Sequence, residues 1–168
     1  YEYCDLLIAG SGPSGLASAY AAAKNGAKVI LAEDKSRFGG SLLTSEVTIG
    51  NQSGQEWAEK IISELKSMPN VVVKNRSQVF GYYDHNMLVM SERISDHLPK
   101  TEKYIPKQRL WYIRAKEVII SSGSIERPLV FGNNDTPGVM LSSAAKEYLK
   151  VYGVLVGKKP IVFTNNDS

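Results

Sequence analysis

The stretch Asp5-Leu-Leu-Ile-Ala-Gly-Ser-Gly-Pro-Ser-Gly15 joins a short apolar run to a glycine-rich turn. An alanine-rich segment follows, and then a second apolar run, Lys28-Val-Ile-Leu-Ala32, which ends at Glu33. This is the order of strand, glycine turn, helix, strand and acidic residue that a dinucleotide-binding βαβ unit requires. The sequence therefore predicts such a unit in the N-terminal part of the chain.

Each residue of the glycine turn has a physical reason in that unit. Gly10 permits the tight turn out of the strand, and Gly12 lacks a Cβ, so that a pyrophosphate can approach the backbone. Gly15 lets the helix lie against the sheet, and Pro13 and Ser14 open that helix. Its N-terminus offers unpaired N–H groups and the positive end of the helix dipole to an anion. The alternative is a glycine turn with a purely structural role.

Glu33 follows Gly15 by 18 residues, close to the spacing of about 20 residues expected of a ribose-binding acid. Its carboxylate can accept hydrogen bonds from both ribose hydroxyls and would repel a 2′-phosphate, so an unphosphorylated ribose is favoured. Asp34 is assigned to the same site. Lys35 and Arg37 leave the exclusion of a 2′-phosphate open, since either side chain could pair with one.

A second pair of glycines, Gly39 and Gly40, precedes Ser41 in a polar loop. Two adjacent glycines let the backbone pass close to another group, such as the pyrophosphate or the ribose linkage. An ordinary loop turn explains the pair equally well. Both interpretations remain open at this point.

The remaining pattern predicts further helices and strands. Apolar residues recur at helical spacing from Gln55 to Met68, which predicts an amphipathic helix. The predicted strands are a parallel one at Val71–Lys74, a three-stranded meander at 78–83, 87–93 and 109–114, one at 115–120, and one at 160–163. The stretch 94–108 is predicted to be a loop, and Leu141–Tyr152 a helix that Gly153 ends.

Composition limits the classes of function. The chain has 168 residues, of which 43% are hydrophobic and 22% charged, which is typical of one globular domain with a fragment of another at most. No apolar run approaches the roughly 20 residues of a transmembrane helix, and the start has no secretory signal, so no membrane association is expected. The net charge of +3 is scattered, which argues against a nucleic-acid partner.

Few residues are candidates for catalysis or metal binding. The single cysteine, Cys4, heads the first predicted strand and is expected to be a buried, inert thiol, which favours a cytoplasmic location. His85 and His97 lie apart from any cluster of metal-ligand spacing. The sequence therefore predicts neither a catalytic residue nor a metal site.

Longer segments of the chain resemble a known family. The glycine turn with Glu33 resembles the first fingerprint of the glutathione-reductase-like FAD/NAD-linked oxidoreductases. Ile119-Ile-Ser-Ser-Gly123 resembles their second fingerprint, with Ser121 and Ser122 in place of Ala-Thr. The segments that resemble the alpha subunits of heterotetrameric sarcosine oxidases are Phe80–Asn86, Gln108–Trp111, Ser124–Phe131, Pro137–Met140 and Val162–Asp167.

The resemblance implies an α/β fold: a Rossmann-like FAD/NAD(P)-binding domain with a parallel sheet and a three-stranded antiparallel meander. Residues 1–150 would form this domain without its returning C-terminal strand, and 151–168 the truncated start of a second dinucleotide-type domain. Val79 would lie near the adenine. The implied cofactor-binding residues are Gly10, Gly12, Pro13, Ser14, Gly15, Glu33, Asp34, Gly40, Ser41, Val79, Ser122 and Gly123.

The resemblance also implies an activity, which is the oxidative demethylation of sarcosine with reduction of oxygen to peroxide. In that family the alpha subunit carries NAD⁺, a flavin in the beta subunit oxidises the amine, and FMN lies at a subunit interface. A separate tetrahydrofolate-handling region accepts the one-carbon unit. The implied partners are beta, gamma and delta subunits, and this chain alone is expected to be inactive, with self-association of the fragment left open.

Two other functions remain open from the sequence. The first is the FAD-binding domain of a related flavin-dependent amine or opine dehydrogenase, because FAD and NAD⁺ share the ADP half that the fingerprint recognises. The second is a structural scaffold subunit that binds no nucleotide.

Overall fold

The structure is a computed structural model that describes residues 1–100 and 104–165. The strands of the main sheet are β1 (Glu2–Ala9), β2 (Val29–Ala32), β5 (Val71–Lys74), β6 (Ser77–Tyr83), β7 (Met87–Arg93) and β8 (Gln108–Ile120). A small hairpin contains β3 (Thr48–Ile49) and β4 (Gln52–Ser53), and the helices are α1 (Pro13–Lys24), α2 (Gly54–Ser67) and α3 (Ser142–Tyr152). The order of elements confirms the predicted α/β fold.

The main sheet has the strand order β5-β2-β1-β8-β7-β6. Strands β5, β2, β1 and the second half of β8 are parallel, whereas β6, β7 and the first half of β8 form an antiparallel meander. The predicted parallel strand at Val71–Lys74 and the predicted meander are therefore both confirmed. The predicted loop 94–108 contains no helix or strand before Gln108 among its described residues, and its positions 101–103 lie outside them.

Strand β8 corrects one prediction. The sequence suggested two strands, at 109–114 and 115–120, but Gln108–Ile120 is a single strand. It pairs antiparallel with β7 through Gln108–Arg114 and parallel with β1 through Ile113–Ile120. No glycine or proline interrupts this stretch, so the backbone stays extended and joins the meander to the parallel strands.

Alternating side chains of the parallel strands form two cores. Ile8 of β1 faces α1 and α2, whereas its neighbour Leu7 packs in the core shared with the meander, as the period of two in a strand requires. The core on the helix side includes Ile8, Leu16, Val29, Leu31, Ile61 and Leu65. The core on the meander side includes Leu7, Ile30, Leu88, Met90 and Ile113. The parallel strands thus lie between a helical layer and the meander.

The two long helices begin where the sequence supplies a start signal. Pro13 occupies the first turn of α1, where its missing N–H costs no hydrogen bond. Ser53 and Glu56 form a capping box at the start of α2, in which each side chain bonds the backbone N–H of the other residue. The observed α2 differs from the predicted range, Gln55–Met68, by one residue at each end.

In the C-terminal part of the chain, the predicted helix is observed and the predicted strand is not. α3 ends at Tyr152, immediately before Gly153, as predicted. Gly153 adopts a left-handed conformation with a φ of 67°. The predicted strand at Pro160–Phe163 is wrong: this segment is irregular, and Ile161 is 96% exposed. A strand needs a neighbour to accept and donate its backbone hydrogen bonds, and none of the described strands lies beside this segment.

The N-terminus of α3 is capped by a carboxylate from the preceding loop. Glu126 accepts hydrogen bonds from the N–H of Ser143 (2.7 Å) and from the N–H and Oγ–H of Ser142 (3.2 and 2.8 Å). These bonds, chiefly those of Ser143, lower the pKa of Glu126 to about 2. The loop is therefore attached to α3 by a charge-assisted cap.

We expect the contact between meander and parallel strands to contribute much of the stability. Leu88→Ala removes a side chain that is 1% exposed between these layers, so the free energy of unfolding should fall by about 2–5 kcal/mol. Leu110→Ala is the matched control, because Leu110 is 50% exposed, and it should change stability by about 0.5 kcal/mol or less. Urea unfolding monitored by circular dichroism measures both, and equal losses would contradict this layer arrangement.

The cap of α3 should depend on pH in a defined direction. The folded pKa of Glu126 lies near 2, below its ordinary value of 4.5, so the cap is fully formed above the ordinary value and is lost as pH falls through the folded one. An NMR titration of the Glu126 carboxyl should give a midpoint near 2. In Glu126→Gln, the amides of Ser142 and Ser143 should lose this pH dependence. A midpoint near 4.5 would show that the cap is absent in solution.

Candidate dinucleotide-binding site

The glycine turn between β1 and α1 is closely packed on two sides. Gly10 has a φ of 104°, and a Cβ there would clash with the backbone carbonyl of Ser121. A Cβ on Gly15 would clash with the carbonyl oxygen of Gly10. These two positions therefore require glycine, which agrees with the roles that the sequence assigned to them.

Gly12 differs from the other two glycines of the turn. A Cβ built on Gly12 would have no other atom within 4 Å, and its φ of −65° suits any residue. No side chain of the described residues caps α1 at this end. Pro13 and Ser14 are exposed beside it. The turn therefore presents open space at the N-terminus of a helix, where a phosphate group would be stabilised.

Glu33 lies directly beside this turn. Its carboxylate accepts hydrogen bonds from the N–H and Oγ–H of Ser11 (2.9 and 2.5 Å) and from the N–H of Lys35 (2.9 Å). Glu33 is 9% exposed and Ser11 is fully buried. A carboxylate has about four acceptor positions, so these three bonds leave about one for a ligand, whereas the sequence analysis had allowed for both ribose hydroxyls.

The second glycine pair packs onto the first glycine turn. The N–H of Gly39 donates to the carbonyl oxygen of Ser11 at 3.1 Å, and a Cβ on Gly40 would lie 2.9 Å from the Cα of Gly12. Gly39 and Gly40 both have positive φ values, 121° and 53°. The pair therefore brings its backbone close to that of Gly12, and its contact with a ligand stays a prediction. Ser41 is exposed in the short 3₁₀ helix that Gly40 begins.

The end of β8 also reaches the glycine turn. The N–H of Ser121 donates to the carbonyl oxygen of Ala9 at 2.7 Å, and the next residues, Ser122 and Gly123, are exposed. Gly123 has a φ of 75°. The two segments that resemble fingerprints are thus adjacent in space, although they are more than 100 residues apart in sequence.

Val79 and Asp34 lie near Glu33 but have other protein contacts. Ser77, the first residue of β6, donates its N–H to the carbonyl oxygen of Glu33 at 2.8 Å, and Val79 follows two residues later, half-buried. The Asp34 carboxylate pairs with Arg93 at 3.2 Å. The structure therefore brings both predicted residues near Glu33, and their contact with a ligand stays a prediction.

Ser11 is the residue of this site that the sequence analysis missed. It occupies the variable position between Gly10 and Gly12, where the motif makes no demand on the residue type. Its hydroxyl and its N–H both hold the Glu33 carboxylate. The only available signal was its place in the turn.

Other chemistry is limited in the described part of the chain. Cys4 is 6% exposed, and burial raises the pKa of its thiol to about 11, which confirms a buried, unreactive cysteine. Within residues 1–100 and 104–165, no three His, Cys, Asp or Glu side chains are arranged to hold a metal ion. The same residues contain no helix with the length and apolar character needed to span a bilayer.

Known proteins are similar in sequence to this chain over all or nearly all of its length. Over its whole length the chain is 45% identical to the sarcosine oxidase alpha subunit of Rhizobium meliloti (strain 1021), of which it spans 17%. It is 25% identical over 96% of its length to an opine oxidase subunit of Agrobacterium tumefaciens (strain Ach5), of which it spans 33%. The chain thus spans a third or less of each of these relatives.

A solved structure shows the same fold. The L-proline dehydrogenase from P. horikoshii matches 92% of this chain with a TM-score of 0.73 and 23% identity, and this chain spans 30% of that protein. The family of FAD dependent oxidoreductases matches residues 5–98, which run from within β1 to beyond the end of β7. The chain therefore belongs to the FAD dependent oxidoreductase family, and it is homologous to the alpha subunits of sarcosine oxidases.

Proposed function

We propose that this chain binds the ADP half of an adenine dinucleotide, as the dinucleotide-binding part of an oxidoreductase related to the sarcosine oxidase alpha subunits. The observation that carries the proposal is the Glu33 carboxylate, held by Ser11 beside the open space at Gly12. A ribose-binding acid and a phosphate-binding helix end have to be neighbours for one ligand to contact both. These two features are neighbours here.

In this proposal each part of the site contacts a different part of the ligand. The diphosphate lies at the start of α1, near Gly10, Gly12 and Gly15, where the N–H groups and the helix dipole stabilise its charge. The remaining acceptor position of Glu33 takes a ribose hydroxyl, and such a charge-assisted bond contributes about 1.5–3 kcal/mol. The other proposed contacts are Pro13, Ser14, Asp34, Gly40, Ser41, Ser122 and Gly123, with Val79 near the adenine.

The second half of the dinucleotide has two candidates, FAD and NAD⁺. The family match over residues 5–98 supports FAD. NAD⁺ is the candidate that the resemblance of the sequence to sarcosine oxidase alpha subunits implies. The contacts proposed above involve only the ADP half, which both dinucleotides share.

The activity of the complete protein is also a proposal, because this chain spans 17% of the sarcosine oxidase relative. We propose oxidative demethylation of sarcosine by an assembly with beta, gamma and delta subunits and an interfacial FMN, and the relative's designation as an alpha subunit supports such partners. We further propose 1–150 as the dinucleotide-binding domain, 151–168 as the start of a second one, and a cytoplasmic location, which a single reduced cysteine favours.

The identity of the dinucleotide can be measured directly. Purified protein should bind ADP-ribose in calorimetry, since the proposed contacts involve only the ADP half. Mass analysis of the co-purifying small molecule, with an absorption spectrum, then separates the candidates, because a flavin absorbs at about 450 nm and NAD⁺ does not. Failure of ADP-ribose, NAD⁺ and FAD to bind would contradict the proposal and favour a scaffold without nucleotide.

Two glycines of the same turn provide a matched pair of variants. Gly12→Val should retain the fold, with stability within about 1 kcal/mol of the parent, because its Cβ has open space and valine is only a poorer N-cap. The same variant should lose ADP-ribose binding, since the side chain occupies the place of the diphosphate. Gly15→Val should destabilise by about 3 kcal/mol or more, because its Cβ meets the Gly10 carbonyl.

Urea unfolding and calorimetry distinguish these outcomes. A Gly12→Val protein that folds and still binds ADP-ribose with the parent's affinity would show that the ligand lies elsewhere.

A further inference from the structure

Lys35 is a cation two residues after Glu33, the acid that is proposed to bind the ribose. The N–H of Lys35 donates to Oε1 of Glu33 at 2.9 Å, so the backbone of Lys35 lies at the carboxylate that is proposed to bind the ribose. From there its side chain could reach a phosphate on the 2′-oxygen. A basic side chain near this acid is how such sites accept a 2′-phosphate.

In this structure the Lys35 side chain is already paired. Its Nζ lies 2.7 Å from Oε1 of Glu147, a residue of α3 that is 112 positions later in the chain. The Lys35 side chain is 58% exposed and that of Glu147 33%. The pair leaves the lysine directed to α3 and its charge compensated.

A second ion pair holds α3 near the same loop. Nζ of Lys150 lies 2.8 Å from Oε1 of Glu46. Glu147 and Lys150 are three residues apart, so they lie on one face of the helix. The loop between Lys35 and Glu46, which contains Gly39 and Gly40, is therefore tied to α3 at both ends.

Of the three charged side chains at positions 33–35, two are paired with an opposite charge. Asp34 is compensated by Arg93 at 3.2 Å, and Lys35 is compensated by Glu147. The Glu33 carboxylate has hydrogen-bond donors but no cation among its partners in the described residues. A 2′-phosphate at this position would meet an uncompensated carboxylate.

We infer that Glu147 is a specificity-determining residue, which excludes a 2′-phosphorylated ribose by holding Lys35 away from it. The inference rests on the proposed binding of the ADP half. It places part of the selectivity on α3, outside the βαβ unit that forms the rest of the site.

The test compares ADP-ribose with 2′-phospho-ADP-ribose by calorimetry on the whole chain. Glu147→Gln should raise the affinity for 2′-phospho-ADP-ribose by about fivefold, the effect of one exposed charge pair, and leave ADP-ribose affinity unchanged. The gain should decrease as salt is added, because exposed charges are screened. The double variant Lys35→Gln/Glu147→Gln should lose the gain.

Lys150→Gln is the matched control, because it breaks the other ion pair between α3 and the loop while Lys35 stays paired. It should leave both affinities unchanged. Arg37→Gln in the Glu147→Gln background should retain the higher affinity for 2′-phospho-ADP-ribose. That result would assign the higher affinity to Lys35 rather than to Arg37.

Three outcomes would overturn the inference. Unchanged 2′-phospho-ADP-ribose affinity in Glu147→Gln, with ADP-ribose still bound, contradicts it while the proposed function stands. An equal gain in Lys150→Gln attributes the effect to loosening of α3. A parent chain that binds neither ligand contradicts the proposed function as well.

Discussion

The contact of Gly15 with the carbonyl of Gly10 fixes the position of α1 on the sheet. No side chain can stand between the two, so the helix starts immediately above the end of β1. The same turn packs against the end of β8 through Gly10 and Ser121. The N-terminus of α1 is consequently set at the carboxyl ends of the parallel strands, which is where ligands bind in sheets of this kind.

The continuity of β8 gives the domain its second layer. A strand that pairs with β7 in its first half and with β1 in its second carries the meander directly out of the parallel sheet. Leu88 and Met90 of the meander then pack against Leu7 and Ile30. Because β8 also ends at the glycine turn, the packing that stabilises the meander positions part of the candidate site.

Local patterns made much of this fold predictable. The run Val71–Lys74 is short, valine-rich and bounded by Asn70 and Asn75, so a buried strand followed from the sequence. The strand is observed with the same bounds, but its residues are half-buried rather than buried, because β5 lies at the edge of the sheet. The failures concern pairing, which a local pattern does not contain. Nothing near residue 115 indicates that one strand will have two partners, and nothing in Pro160–Phe163 indicates that no described strand will lie beside it.

The candidate site also contains some residues that the sequence predicted and others that it did not. Gly10, Gly12, Gly15 and Glu33 were predictable because the motif specifies residue types at fixed spacing. Ser11 was not, since the motif leaves its position free, and the partner of Lys35 was not, since Glu147 lies 112 positions away. Geometry that depends on one βαβ unit is local, whereas the charges that surround it come from distant parts of the chain.

The partners of Glu33 explain how one carboxylate can serve both the fold and a ligand. A buried carboxylate is costly unless it is hydrogen-bonded, and three donors from Ser11 and Lys35 offset that cost before any ligand arrives. The same bonds fix the orientation of the carboxylate toward the turn. A ribose hydroxyl would then meet a group that loses little further conformational freedom on binding, which favours affinity. The structural role of Glu33 and its proposed role in recognition therefore depend on one set of hydrogen bonds.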